Sequence, residues 1–133
     1  MGRTVHFEIQ ASDPQQLIDF YAGMFGWSFS KWEGGDYWLV GTGEVGQPGI
    51  NGGLLPRRGP RPEDGASVNA FVCTVDVEDL DKTLEQLKSL NGVVAVPKMP
   101  VPGVGWLAYA KDPDGNIFGM MQMDTAASFE SHD

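Results

Sequence analysis

The chain has 133 residues, 41% of them hydrophobic and 20% charged, the size and composition of one ordinary globular domain, which excludes wholesale disorder. A formal net charge of −9 excludes a phosphate backbone as partner, because nucleic-acid binding needs clustered Lys and Arg. No apolar run approaches the roughly 18 residues of a membrane span, and Met1-Gly2-Arg3-Thr4-Val5-His6 lacks the apolar core of a signal peptide, so a cytoplasmic location is expected.

In chain order, Thr4 to Gln10 alternates strictly, with Val5, Phe7 and Ile9 on one face, as a half-buried strand does. Asp13-Pro14 opens a helix: Asp13 caps it and proline suits its first position. Leu17, Ile18, Tyr21, Met24 and Phe25 make its apolar stripe, and Gly26 ends it. Three short strands follow, Trp27 to Trp32, Tyr37 to Thr42 and Ile50 to Leu55, with a turn at Gly34-Gly35-Asp36. The Pro-, Gly- and Arg-rich stretch from Pro56 to Ala66 reads as a linker, and Arg57-Arg58-Gly59-Pro60-Arg61 within it as an exposed loop.

The same order then recurs. Val68 to Val75 reads as a strand, and Asp79 to Leu90 as a helix with Leu80, Leu84, Leu87 and Leu90 inward, closed by Gly92. Strands at Val93 to Met99, Trp106 to Lys111 and Ile117 to Met123 complete the set, and the polar tail after Asp124 is expected to fray. Lone Cys73 excludes an internal disulfide and reads as a small core residue. Asp13 and Asp79, Gly26 and Gly92, and Gly49 and Gly115 are each 66 residues apart. Three equal spacings at equivalent points indicate a duplicated module; Trp38 and Trp106, at 68, nearly fit. The expected class is α+β, with two βαβββ modules in tandem in a single domain. Module one covers 1–55, the linker 56–66, module two 67–124 and the tail 125–133. The alternative is a ferredoxin-like or other α+β domain whose two helices merely resemble each other.

His6-Phe7-Glu8-Ile9, Asp13-Pro14, Phe20-Tyr21, Phe25-Gly26-Trp27, Val77-Glu78-Asp79-Leu80-Asp81 and Lys111-Asp112-Pro113-Asp114-Gly115-Asn116 together resemble the vicinal oxygen chelate superfamily. That superfamily includes glyoxalase I, bleomycin-resistance proteins and extradiol dioxygenases. Pro97 to Trp106 is similar to its glyoxalase-like subgroup, and the likeness runs from about Thr4 to Gln122. It implies that the modules form a cupped mixed β-sheet around a central cavity. It does not fix a reaction, since the fold hosts several chemistries and plain binders.

The resemblance also implies where a metal would be held: one ligand from the first and one from the last strand of each module. Those positions here are His6, Gly53, Val72 and Gly119. Only histidine among them can bind a metal, whereas a divalent ion generally wants three or more protein donors. A register shift brings in Asn69 or Cys73 but no carboxylate on the last strand, where Gln122 is the one oxygen donor; the other histidine, His132, is expected to float. No cofactor is therefore expected, with a divalent metal kept as the alternative.

Without a metal, the implied cavity floor carries His6 and Glu8 facing Gly119, Met121 and Met123, with Ala70, Val72 and Thr74 beside them. His6, Trp38, Val72, Trp106 and Met121 are the expected ligand contacts, in an apolar pocket with few polar groups. His6 and Glu8 are the candidates for acid–base catalysis, against a plainer reading of His6 as a buried, satisfied histidine. Met120, Met121 and Met123 read as core or dimer filling. The functional expectation is a metal-free protein binding a small apolar or cationic molecule. The alternative is a lyase, isomerase or dioxygenase of the same superfamily, using a metal or His6/Glu8 chemistry; a module serving protein–protein contact is the third reading. A homodimer is expected from the exposed edges of open sheets.

Overall fold

The computed structural model describes residues 2–129. Its elements run β1 (Thr4–Ala11), α1 (Pro14–Phe25), β2 (Ser28–Lys31), β3 (Trp38–Gly41) and β4 (Gly52–Pro56). They continue with β5 (Val72–Asp76), α2 (Leu80–Ser89), β6 (Val93–Val101), β7 (Gly105–Lys111) and β8 (Ile117–Met123). The class is α+β, and the order βαβββ occurs twice. Residues 6–72 form one compact unit, and residues 2–5 with 73–129 form another.

The ladders repeat as the elements do. β1 runs parallel to β4, which pairs antiparallel with β3, and β3 with β2. In the second module β5 runs parallel to β8, followed antiparallel by β7 and β6. Glu8 lies opposite Gly53 and Thr74 opposite Gly119, so the 66-residue offset holds in the hydrogen-bond register itself. The third strands do not keep that offset: Leu39 faces Gly53 while Tyr109 faces Gly119, 70 residues apart. Trp38 and Trp106 are therefore not equivalent: β6 is longer than β2, and the connection that follows the third strand is shorter in the second module.

Both helices begin as their sequences dictate. The Asp13 carboxylate accepts the Gln16 amide at 3.4 Å, and Asp79 accepts that of Lys82 at 3.1 Å. α1 ends on Gly26 in the left-handed conformation, its N–H bonded to the Ala22 carbonyl. At the end of α2 the expected terminator is displaced by one residue. Asn91 takes the left-handed turn at φ 67°, and Gly92 donates to the Leu87 carbonyl at 2.9 Å. This is a Schellman closure in which asparagine supplies the positive φ.

Each helix covers one face of its own strands. In the first module Phe7, Ile9, Ala11, Val40 and Leu54 are buried against Leu17, Ile18 and Tyr21 of α1. In the second, Leu80, Trp106, Ala108, Ala110 and Met120 are buried with Leu84, Leu87 and Phe118 around them. The alternation that points these side chains at the helix turns His6, Glu8, Gly53, Thr74, Gly119 and Met121 to the opposite, open faces.

Three expectations need correction. The second module's first strand begins at Val72, and residues 68–71 are not strand. Phe71 instead stacks on Phe7, with ring centroids 5.5 Å apart, and meets Tyr21 edge-on at 6.2 Å. That aromatic packing holds the segment to the first unit and leaves Val68 and Ala70 exposed. Cys73 is exposed rather than core, because it lies on the helix-facing side of β5, which α2, packing chiefly over β6, β7 and β8, leaves uncovered. The segment after Asp124 is tied down at least to Ala127, which is buried beside Trp106 and accepts the Gly103 amide at 3.1 Å.

Candidate functional site

The first module's open face centres on His6 and Tyr37. β1 carries His6 two residues before Glu8, both pointing away from α1. Tyr37 stands just ahead of β3, in the turn that closes the β2–β3 hairpin. Its N–H donates to the Gly35 carbonyl at 2.9 Å, and its own carbonyl accepts the Trp32 amide at 2.8 Å. The Trp32 ring meets the phenol edge-on at 6.4 Å. So fixed, the Tyr37 hydroxyl lies 2.7 Å from His6 Nε2, with the two rings nearly parallel.

The glycine at position 53 makes this possible. A Cβ there would run into the Tyr37 hydroxyl and ring. The phenol thus fills the space above β4 that a side chain at position 53 would otherwise enter. The second module varies the same theme: a Cβ at Gly119 would lie 2.9 Å from Thr74 Oγ1 and 3.3 Å from the Tyr109 ring. At Gly53 the crowding comes from Tyr37 alone, whereas at Gly119 it comes first from Thr74 on the parallel neighbour and then from Tyr109.

Burial holds the His6 imidazole below its ordinary pKa of 6.5; the Glu8 carboxylate pulls the other way and is outweighed. Near neutral pH the ring is therefore uncharged. The pair of neutral imidazole and phenol offers one acceptor and one donor, with the tautomer deciding which group gives the shared proton. Glu8 is 7% exposed, and no buried side-chain polar atom among the described residues lacks a partner.

Of the expected ligand contacts, His6 is on the first module's open face, Met121 on the second's, and Val72 two residues before Thr74 on the same side of β5. Trp38 and Trp106 are elsewhere. Trp38 packs with the helix-side core of the first module. Trp106 is 6% exposed in the second module's core, donates its indole N–H to Asp124 at 3.1 Å and carries the Lys98 ammonium over its ring. Ala70 is exposed in the connecting segment. Met120 belongs to the core on the α2 side.

The metal positions resolve in the same way. Gly53, Val72 and Gly119 offer no donor, and the one donor among the four, His6, is engaged by Tyr37. Gln122, the last-strand oxygen, accepts the Leu80 amide at 2.8 Å and so serves the start of α2. His132 lies outside the described residues. Among the described residues no three His, Cys, Asp or Glu side chains come together. These residues do not fit a divalent metal site. Sequence reasoning missed Tyr37 and Tyr109. The period of two sets Tyr37 on the face of Leu39, but only the β3–β4 register brings that face over Gly53.

No curated protein matches the chain in sequence. Solved structures match it in fold. One is a glyoxalase/bleomycin resistance protein/dioxygenase superfamily member from Vibrio splendidus 12B01, with TM-score 0.61 and 12% identity, over 93% of this chain and 100% of that one. Another is the methylmalonyl-CoA epimerase from Mycobacterium tuberculosis, with TM-score 0.58 and 16% identity, over 91% and 87%. A third is the Mn(II)-bound glyoxalase from Novosphingobium aromaticivorans, with TM-score 0.57 and 18% identity, over 96% of this chain and 40% of that one. At such identities the likeness shows the fold alone. Among the described residues no helix is long and apolar enough to cross a membrane. The family model matches residues 3–120, and the chain belongs to the Glyoxalase/Bleomycin resistance protein/Dioxygenase superfamily.

Proposed function

We propose that this protein binds a small, largely apolar, neutral or cationic molecule without a metal ion, using the open face of its first module. The His6–Tyr37 pair is the polar anchor, and Leu39 offers apolar surface on the same face. The observation that carries this reading is the Tyr37 phenol lying over Gly53 and hydrogen-bonded to the one imidazole that could have served a metal. The carboxylate of Glu8 and the net charge of −9 favour a cation over an anion at this face. The core positions of Trp38 and Trp106 remove them from the set of contacts. A homodimer is part of the same reading: Met24 and Phe25, at the C-terminal end of α1, are each more than half exposed, an apolar patch that a second copy would cover.

A second reading, proton transfer in a lyase or isomerase, is favoured by His6 being uncharged near neutral pH and in contact with a phenol. Under it, Glu8 supports the imidazolium formed when His6 takes a proton.

The test is a thermal-shift screen with 2-naphthol and benzyltrimethylammonium, repeated on Tyr37→Phe. Binding raises the melting temperature in proportion to ligand concentration over Kd, and loss of the phenol hydroxyl weakens it about fivefold, the worth of roughly 1 kcal/mol. Stabilisation that is identical in Tyr37→Phe and His6→Gln would place the ligand elsewhere and sink the proposal.

A further inference from the structure

An open groove of about 400 Å³ runs between the first turns of α1 and the segment that follows β4, a volume in the range of small-molecule sites. Leu17, Phe20 and Tyr21 form its apolar wall, and Arg57 and Arg61 stand across from them. Arg57 is held in place: its Nε donates to Ser12 Oγ at 3.3 Å, its Nη2 to the Gln10 carbonyl at 3.1 Å, and its backbone N–H to the Ala11 carbonyl at 2.8 Å. All three acceptors are neutral. Among the described residues neither Arg57 nor Arg61 forms an ion pair.

A half-buried guanidinium fixed by neutral acceptors keeps its full charge and has lost part of its water. Three of the chain's nine Lys and Arg residues, at 57, 58 and 61, cluster here, so this is a local basic site on an acidic protein. Asp13 also lines the groove, but its carboxylate accepts the Gln16 amide, and two guanidinium groups outnumber it. Phe20, 52% exposed, lacks a covering group on the same wall.

We infer that this groove binds a small organic anion, a carboxylate or phosphate monoester bearing a ring or short apolar body. The guanidinium groups of Arg57 and Arg61 take the anion, and Leu17, Phe20 and Tyr21 take the body. The site is distinct from the His6–Tyr37 face, which lies on the other side of β1, and it stands or falls independently of that reading.

The experiment is an amide NMR titration of the intact chain with phenyl phosphate, benzoate, inorganic phosphate and benzyl alcohol. Saturable shifts confined to residues 12–21 and 57–61 are expected for phenyl phosphate or benzoate, and whichever binds more tightly identifies the anionic group. Inorganic phosphate is expected to bind about fivefold more weakly, and benzyl alcohol not to saturate. Arg61→Gln is the cleanest variant, since among the described residues the Arg61 side chain has no hydrogen-bond partner; it is expected to weaken binding about fivefold. Phe20→Ala is expected to erase the advantage of phenyl phosphate over inorganic phosphate. Absence of saturable shifts up to about 20 mM ligand, or a Kd unchanged in Arg61→Gln, overturns the inference.

Discussion

Tyr37 reaches His6 across the backbone of Gly53, and each of the three residues depends on the other two. Gly53→Ala sets a methyl group where the phenol lies, so the ring must leave and the hydrogen bond to His6 break. The expected cost is about 1–3 kcal/mol in thermal or urea unfolding, the usual range for overpacking. An unchanged stability would mean that the phenol moves aside freely. The charge on Glu8 can be tested by following the His6 imidazole resonance with pH. Because the carboxylate raises the His6 pKa against the larger effect of burial, Glu8→Gln is expected to drive it lower still. A folded pKa below the ordinary 6.5 means that the unfolded chain binds a proton first. Stability from this group is therefore full above about pH 6.5 and lost as pH falls through the folded value. Comparing wild type with His6→Gln isolates this slope, and equal slopes would contradict it. His6 was legible from the sequence because strict alternation puts it on a definite strand face. Tyr37 was not, because its role depends on the β3–β4 pairing, which a single sequence does not reveal. Trp38 and Trp106 misled for a related reason: each belongs to the helix-facing register, and one residue of register reverses a side chain's face.

The elements follow their local signals closely where caps and turns are involved. Asp79 accepts the Lys82 amide while Gln122, from β8, takes that of Leu80, so two of the first-turn donors of α2 are satisfied from different parts of the second module. Asp79→Ala is expected to cost about 1 kcal/mol of stability, and Gln122→Ala a similar amount by leaving a half-buried amide unpaired; urea denaturation reads both. A negligible effect of Gln122→Ala would show that water replaces it. Helix starts were readable because an Asp cap, followed at Pro14 by a residue suited to the first helical position, is a local rule with a local cause. The start of β5 was not. Val68 to Val72 has strand-like residues, but Phe71 is captured by Phe7 and Tyr21, contacts distant in sequence that override propensity. The end of α2 shows how small such a miss can be: Asn91, one residue ahead of Gly92, tolerates the left-handed turn because its short polar side chain suits it.

At the scale of the whole molecule, the duplication was the most legible feature, since 66-residue spacings between caps reappear as matched ladder pairs at Glu8–Gly53 and Thr74–Gly119. A homodimer predicts a solution mass of about twice 14.4 kDa by light scattering, reduced towards the monomer by Phe25→Glu on the exposed patch of α1; a monomer at working concentrations would contradict it. The central claim is that this protein works with His6 committed to Tyr37 in place of a metal. The most direct measurement is elemental analysis of protein purified without chelator or affinity tag, alongside His6→Ala. The account predicts Zn, Ni, Fe and Mn far below one equivalent in both samples. Near-stoichiometric metal in the wild type that disappears in His6→Ala would contradict it and bring the metal-dependent enzyme reading forward.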